Sequence, residues 1–298
     1  MDRVRKQISC EKVYLRGLTG KGIGIGVLDS GVSRHPDLKK CVYRFKDFVY
    51  ERSEIYDDSG HGTFVCGVLS GDGTLSEGKY RGIAPDARLY VGKVLQKDGD
   101  GDYENLVKGL EWLLENKERF QLRLINISAG SKQKDIDEQV AIKLKRVNDL
   151  IQKAYDSNIL VVTAAGNSGP QIGSVSDIGA ASSSICVGCH DGNYKFPNTV
   201  MCEEYSGRGP SNYVLKKPDI VAPGTTIVSC GINGYCTKSG TSMATPIVTG
   251  ALALAYEKFP RKNAMDMKHK LIYSADDLGE PWNKQGWGMI NVEKLTKY

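Results

Sequence analysis

The sequence predicts an α/β fold with a mostly parallel sheet and helices on both of its faces. Three observations carry that prediction. Short runs rich in Val and Ile, bounded by Gly or Asp, have the length and composition of strands buried on both sides. Between them lie segments with apolar residues spaced three and four apart, and such alternation calls for a parallel sheet covered by helices. Polar residues suited to chemistry stand at or just after the ends of the runs, where these sheets gather their functional groups.

The elements follow in chain order. Residues 23–28 form an apolar run that stops at Asp29-Ser30-Gly31. Residues 88–95, 124–128 and 159–165 are further strand candidates; 184–188 and 219–221 are weaker ones. An apolar helical segment follows His61. The stretch 103–120 places Leu106, Leu110, Leu113 and Leu114 on one helical face, and 135–156 does the same with Val140, Leu144, Val147 and Ile151. Residues 242–259 are almost wholly apolar, which describes a buried helix, with Pro246 placed in its first turn. No repeat, low-complexity tract or linker interrupts the chain, so residues 1–298 are read as a single domain.

Composition narrows the function. The 298 residues are 40% hydrophobic and 25% charged, which is ordinary for a globular protein. A chain this long buries roughly 75% of its unfolded surface and needs no disulfides to form a core. Net charge is +5, without a Lys/Arg block carrying interleaved aromatics, so nucleic acid is not an expected partner. No run approaches the ~20 apolar residues of a membrane span. The first ten residues are charged and lack a signal-peptide core, so the chain reads as cytoplasmic, or as secreted had a leader or propeptide been removed. Nothing in the sequence bears on oligomeric state.

Eight cysteines are scattered along the chain and read as reduced, mostly buried thiols. Cys186-Val187-Gly188-Cys189-His190 matches a haem-attachment pattern formally. The segment reads as a strand, however, so the two thiols point to opposite faces. A zinc site there lacks a second close pair. Cys230 and Cys236 flank a Gly-rich turn and could pair in an oxidising compartment.

The chemistry centres on three residues. Of four histidines, His269 lies in a Lys-rich helix, His35 precedes a proline in a loop, and His190 follows a strand. His61 stands between Gly60 and Gly62, which let the backbone approach a neighbour closely. Ser242 opens the apolar helix in Ser239-Gly240-Thr241-Ser242-Met243-Ala244. A serine there is usually a cap, but helix amides and dipole also favour a nucleophile's developing charge. Asp29 ends a buried strand and needs a partner; an imidazole would serve. Asn167, at another strand end, can donate its amide to an oxyanion or shape a turn.

Together these motifs resemble the subtilase family, the subtilisin-like serine proteases. Asp29-Ser30-Gly31 resembles its aspartate motif, His61-Gly62-Thr63-Phe64-Val65-Cys66-Gly67 its histidine motif, and Gly240-Thr241-Ser242-Met243-Ala244-Thr245-Pro246 its serine motif. The order Asp, His, Ser is that of subtilisin. Connecting matches begin at Gly82, Ala164, Tyr205 and Lys217 and span nearly the whole chain. The resemblance implies a three-layer subtilisin-like fold and a serine endopeptidase needing no cofactor for its chemistry. In that reading Ser242 is the nucleophile, His61 the base and Asp29 its orienter, with Asn167 and the Ser242 amide holding the oxyanion. The peptide would bind extended between Gly99-Asp100-Gly101 and Ser128-Ala129-Gly130. Tyr103 and Leu106 would line the pocket for the fourth residue before the cut. Ser128, Ala129, Gly130, Ala164 and Gly166 would form the first pocket.

The chain also departs from the family pattern. Acid concentrates at Asp98, Asp100, Asp102 and Glu104, beside the expected cleft. It is not an EF-hand, because Tyr103 and Gly109 stand where Gly and Glu are required. It reads as a solvated turn, or as a preference for basic residues upstream of the cut. Phe64 and Ile247 replace frequent histidines. Cys66 reads as a buried thiol, with a redox-sensitive helix as the alternative. Asp37 matches a common calcium-ligand position, but residues 71–80 do not match the loop that completes that site, which leaves a structural calcium open and any metal ligands unassigned. Two rivals share the fold: an inactive binding or regulatory module, and an esterase or acyltransferase using the same triad.

Overall fold

The structure is a computed structural model and describes residues 1–130, 137–191, 202–210 and 215–297. In chain order the elements are helices α1 (Asp2–Gln7) and α2 (Glu11–Tyr14), strands β1 (Gly24–Asp29) and β2 (Val42–Asp47), helix α3 (His61–Ser70) and strand β3 (Arg88–Lys93). Helices α4 (Tyr103–Glu115) and α5 (Lys117–Phe120), strand β4 (Leu122–Ile127), helix α6 (Glu138–Asp156) and strands β5 (Leu160–Ala164), β6 (Ile185–His190) and β7 (Ile220–Pro223) follow. A hairpin of β8 (Ile227–Cys230) and β9 (Tyr235–Lys238) precedes the long helix α7 (Thr241–Lys258). Helices α8 (Ala264–Tyr273), α9 (Trp282–Gln285) and α10 (Val292–Leu295) end the chain.

Seven strands form one parallel sheet in the order β2-β3-β1-β4-β5-β6-β7. Its strands alternate their side chains between two cores, as period-2 geometry requires. Ile25 and Val27 of β1, Leu124 of β4, and Leu160 and Val162 of β5 join the core under α3 and α7. Leu28, Ile125, Ile127 and Val161 join the core under α4 and α6. That is why these runs are apolar throughout rather than at every second residue.

The helix expected over 103–120 is broken at Asn116. Its side-chain amide donates to the Trp112 carbonyl, competing with the backbone pattern, and α5 restarts after it. Part of the helix expected from 135 lies outside the described residues; α6 starts after Asp137, whose carboxylate accepts the Val140 amide. Helix α7 begins one residue before Ser242, so Pro246 falls in its second turn and not its first. Pro246 has no amide to offer the Ser242 carbonyl, while the Thr245 hydroxyl takes the Thr241 carbonyl.

Strand β2 and the β8–β9 hairpin were not expected from the sequence. In the hairpin, Cys230 lies opposite Tyr235 and Cys236 opposite Ser229. Cys230 and Cys236 therefore point to opposite faces and are not bridged; all eight cysteines are free thiols. Cys186 and Cys189 do lie on one strand. Cys186 packs on Ala165 and Val175, whereas Cys189 Sγ is 3.2 Å from the Tyr205 hydroxyl.

Candidate active site

Strand order reverses around β1, and the carboxyl ends of β1, β4 and β5 meet the amino ends of α3 and α7 there. Asp29, the last residue of β1, is fully buried. Its Oδ1 accepts the Ser30 amide at 2.7 Å and faces His61 Nδ1 at 2.7 Å; its Oδ2 is buried without a hydrogen bond among the described residues. A carboxylate only accepts, so Nδ1 carries the proton and Nε2 keeps its lone pair. Burial pulls the His61 pKa down, but the Asp29 charge and hydrogen bond outweigh it, and the net shift is upward from 6.5. His35 and His190 are buried and His269 is exposed. Burial lowers His190 to about 3, which keeps it neutral.

His61 is aimed by a carboxylate that sequence reasoning missed. Asp57 accepts the amides of Ser59, Gly60 and Thr63 and the Thr63 hydroxyl, at 2.6–3.1 Å. It also accepts the Ser30 hydroxyl at 2.9 Å, and Ser30 Oγ accepts the Gly62 amide. One carboxylate thus ties the start of α3 to the residue after Asp29. Burial alone would raise its pKa; these bonds hold it below the usual carboxylate value. Gly62 permits the approach, because a Cβ there would lie 2.1 Å from the Gly31 carbonyl oxygen. The available signal was an Asp four residues ahead of the histidine, in a turn before a helix.

Lys93 is a second residue that the motifs did not flag. It is fully buried at the end of β3. Its ammonium donates to the Ser30 carbonyl at 2.8 Å, Asp58 at 2.6 Å and the Leu95 carbonyl at 2.8 Å. It therefore joins the aspartate strand, the histidine loop and the segment that lines the cleft.

Ser242 and His61 line one cleft of about 670 Å³, without a hydrogen bond between them among the described residues. Such contacts are often long in free enzymes. Gly240, at φ +145°, delivers the chain to α7 through a conformation that suits glycine. Asn167 is fixed beside it. Its Oδ1 accepts the Thr241 amide at 3.0 Å and the Thr241 hydroxyl at 3.1 Å. Of the two side-chain atoms only the oxygen can accept the Thr241 N–H, so this contact orients Asn167 and leaves Nδ2 as a donor.

Gly99, Asp100, Gly101, Tyr103, Leu106, Ser128, Ala129 and Gly130 line the same cleft. Leu95, Gln96 and Ile178 line it too, and were not expected. Ala164 and Gly166 do not line it directly. Ser176 lies against them instead: its hydroxyl donates to the Ala164 carbonyl, and its Cβ is 3.2 Å from a Cβ built on Gly166. Much of the acid at the rim is neutralised. Lys143 pairs with Asp102 at 2.9 Å and Arg146 with Glu104 at 2.9 Å. Asp100 remains on the cleft wall.

Cys66 is fully buried, and burial pushes its thiol well above the usual range, which suits packing and not redox sensing. Among the described residues one group, His35, Asp37 and Cys230, has metal-ligand atoms within 4.8 Å of one another. Its donors are already committed. His35 Nδ1 accepts the Asp37 amide and Nε2 bonds the Gly234 carbonyl. Asp37 Oδ1 accepts the Leu75 amide at 2.9 Å and Oδ2 the Tyr235 hydroxyl at 2.5 Å. Burial pushes the Cys230 thiol up, and imidazole and thiol are not the oxygen ligands that calcium takes. These residues do not fit a calcium or transition-metal site.

A parallel sheet with helices on both faces thus carries an Asp–His pair whose histidine lines one cleft with a serine. The Subtilase family model (Peptidase_S8) matches residues 20–288, and the chain belongs to that family and is a serine-type endopeptidase by class. Among individual relatives, serine protease AprX of Bacillus subtilis (strain 168) is 35% identical over 93% of this chain and 66% of its own length. Subtilisin DY of Bacillus licheniformis is 35% identical over 97% of this chain and 96% of its own. Two solved structures, Sphericase and S41 Psychrophilic Protease, each superpose with a TM-score of 0.81 at 30% identity, covering 92% of both chains.

Proposed function

We propose that this chain hydrolyses peptide bonds through Asp29, His61 and Ser242, as one catalytic domain spanning residues 1–298. The observation that carries the reading is the 2.7 Å His61–Asp29 contact, which leaves Nε2 basic at the cleft that Ser242 lines. Ser242 Oγ attacks the scissile carbonyl carbon and its proton passes to Nε2. Asn167 Nδ2 and the Ser242 amide, at the free end of α7, stabilise the oxyanion. Collapse breaks the C–N bond, Nε2 returns the proton to the amine, and water then releases the acyl group by the same steps. The peptide lies extended between Gly99-Asp100-Gly101 and Ser128-Ala129-Gly130. Asp100 supports a preference for basic residues upstream of the cut, weakened by the pairing of Asp102 and Glu104.

We further propose an intracellular setting. Eight unbridged cysteines support it, since oxidising compartments favour disulfides. No helix among the described residues is long and apolar enough to cross a membrane.

A fluorophosphonate probe, with peptide mapping, tests the nucleophile. Labelling of Ser242 in the parent and none in Ser242→Ala is expected, along with cleavage of amide as well as ester substrates. A folded parent that takes no label would instead indicate a binding or regulatory module. Ester cleavage alone would indicate an esterase.

A further inference from the structure

We infer that the Arg5 guanidinium is the built-in cation of the 71–81 loop, in the place that a bound calcium ion would hold. Arg5 lies in α1 and is only 6% exposed. Its Nη1 donates to the Arg81 carbonyl at 2.6 Å and the Lys79 carbonyl at 3.4 Å, and its Nη2 to the Gly78 carbonyl at 3.3 Å. The Glu11 carboxylate holds Nε at 2.9 Å. Carbonyls from one short stretch thus converge on a single positive charge. Backbone carbonyls gathered in this way are the ligand set of a hard cation. The stretch is partly exposed, and its Gly78 carbonyl also accepts the Arg81 amide at 3.3 Å.

The other side of the loop is closed as well. Asp37 gives one oxygen to the Leu75 amide and the other to the Tyr235 hydroxyl, and its carbonyl accepts the Asp72 amide at 3.0 Å. A calcium ion held by Asp37 would have to displace those donors. The Arg81 guanidinium stacks 4.4 Å from the Tyr14 ring, which further fixes the loop to the amino-terminal helices. The segment that departs from the family pattern is therefore anchored by protein cations. It is held without free calcium, and this conclusion stands apart from the proposed catalytic roles.

Hydrogen exchange read by mass spectrometry on the full chain tests the inference at the loop itself. Peptides covering 71–82 should exchange equally with calcium chloride and with EDTA. In Arg5→Ala they should exchange about tenfold faster or more, since hydrogen bonds to a charged group are lost. Arg5→Lys should fall between, and it serves if Arg5→Ala does not fold. Calcium-dependent protection of these peptides in the parent would overturn the inference, and so would unchanged exchange in both variants. An EDTA effect confined to other peptides would report a metal elsewhere and leave the loop anchored as described.

Discussion

His61 carries two opposite pH dependences. Its folded pKa lies above 6.5: burial opposes protonation, but the Asp29 charge and hydrogen bond prevail. The stability from this pair is fully present below 6.5 and is lost as pH rises through the folded value. Under the proposed mechanism activity runs the other way, because only a neutral imidazole can take the Ser242 proton. The acid limb of kcat/KM with a fluorogenic peptide should therefore have its midpoint above 6.5, and Asp29→Asn should move it down. A parent midpoint below 6.5 would contradict the proposed pairing. Asp29, His61, Ser242 and Asn167 stood out as candidates because each lies within two residues of a Gly in a compact motif at an element's end. Asp57 did not, because four of its five bonds only close its own turn, as at many helix starts, and the one that ties it to Ser30 is made only on folding.

Strands and helices were legible where both faces are buried. β1, β4 and β5 read as continuous apolar runs because two cores claim alternate residues. β2 did not, because it is the sheet edge and carries exposed Tyr43 and Arg44, and Lys46, among its apolar residues. The β8–β9 strands have four residues each, too short for a period to show. At this scale Lys93 is the junction to test, because it joins β3, the residue after β1 and the loop before α3. Lys93→Met would strand two carbonyls and leave Asp58 unpaired. We expect a loss of about 3 kcal/mol in chemical denaturation, at the low end for a broken buried pair because Asp58 is 27% exposed. Adding Asp58→Leu should recover part of that loss. An unchanged denaturation midpoint in Lys93→Met would show that the junction contributes nothing.

For the whole molecule, the eight cysteines offer a test that no single motif provides. A chain of 298 residues with two packed cores has no need of covalent staples, and the structure forms none. Seven of the thiols are buried and Cys236 is partly exposed on the hairpin. Burial raises the pKa of Cys236 too, with Lys238 pulling against it, so even that thiol should react slowly near neutral pH. Titration of native protein with a disulfide reagent, prepared without reductant, should therefore find Cys236 first and the other seven only on unfolding. All eight should react in denaturant, and added reductant should leave the melting temperature unchanged. The result bears on where the protein works. A count below eight in denaturant would reveal a bridge that forms in an oxidising compartment, and the intracellular proposal would fall. It would leave the Asp29–His61–Ser242 reading untouched, because none of these sulfurs bonds to those three side chains.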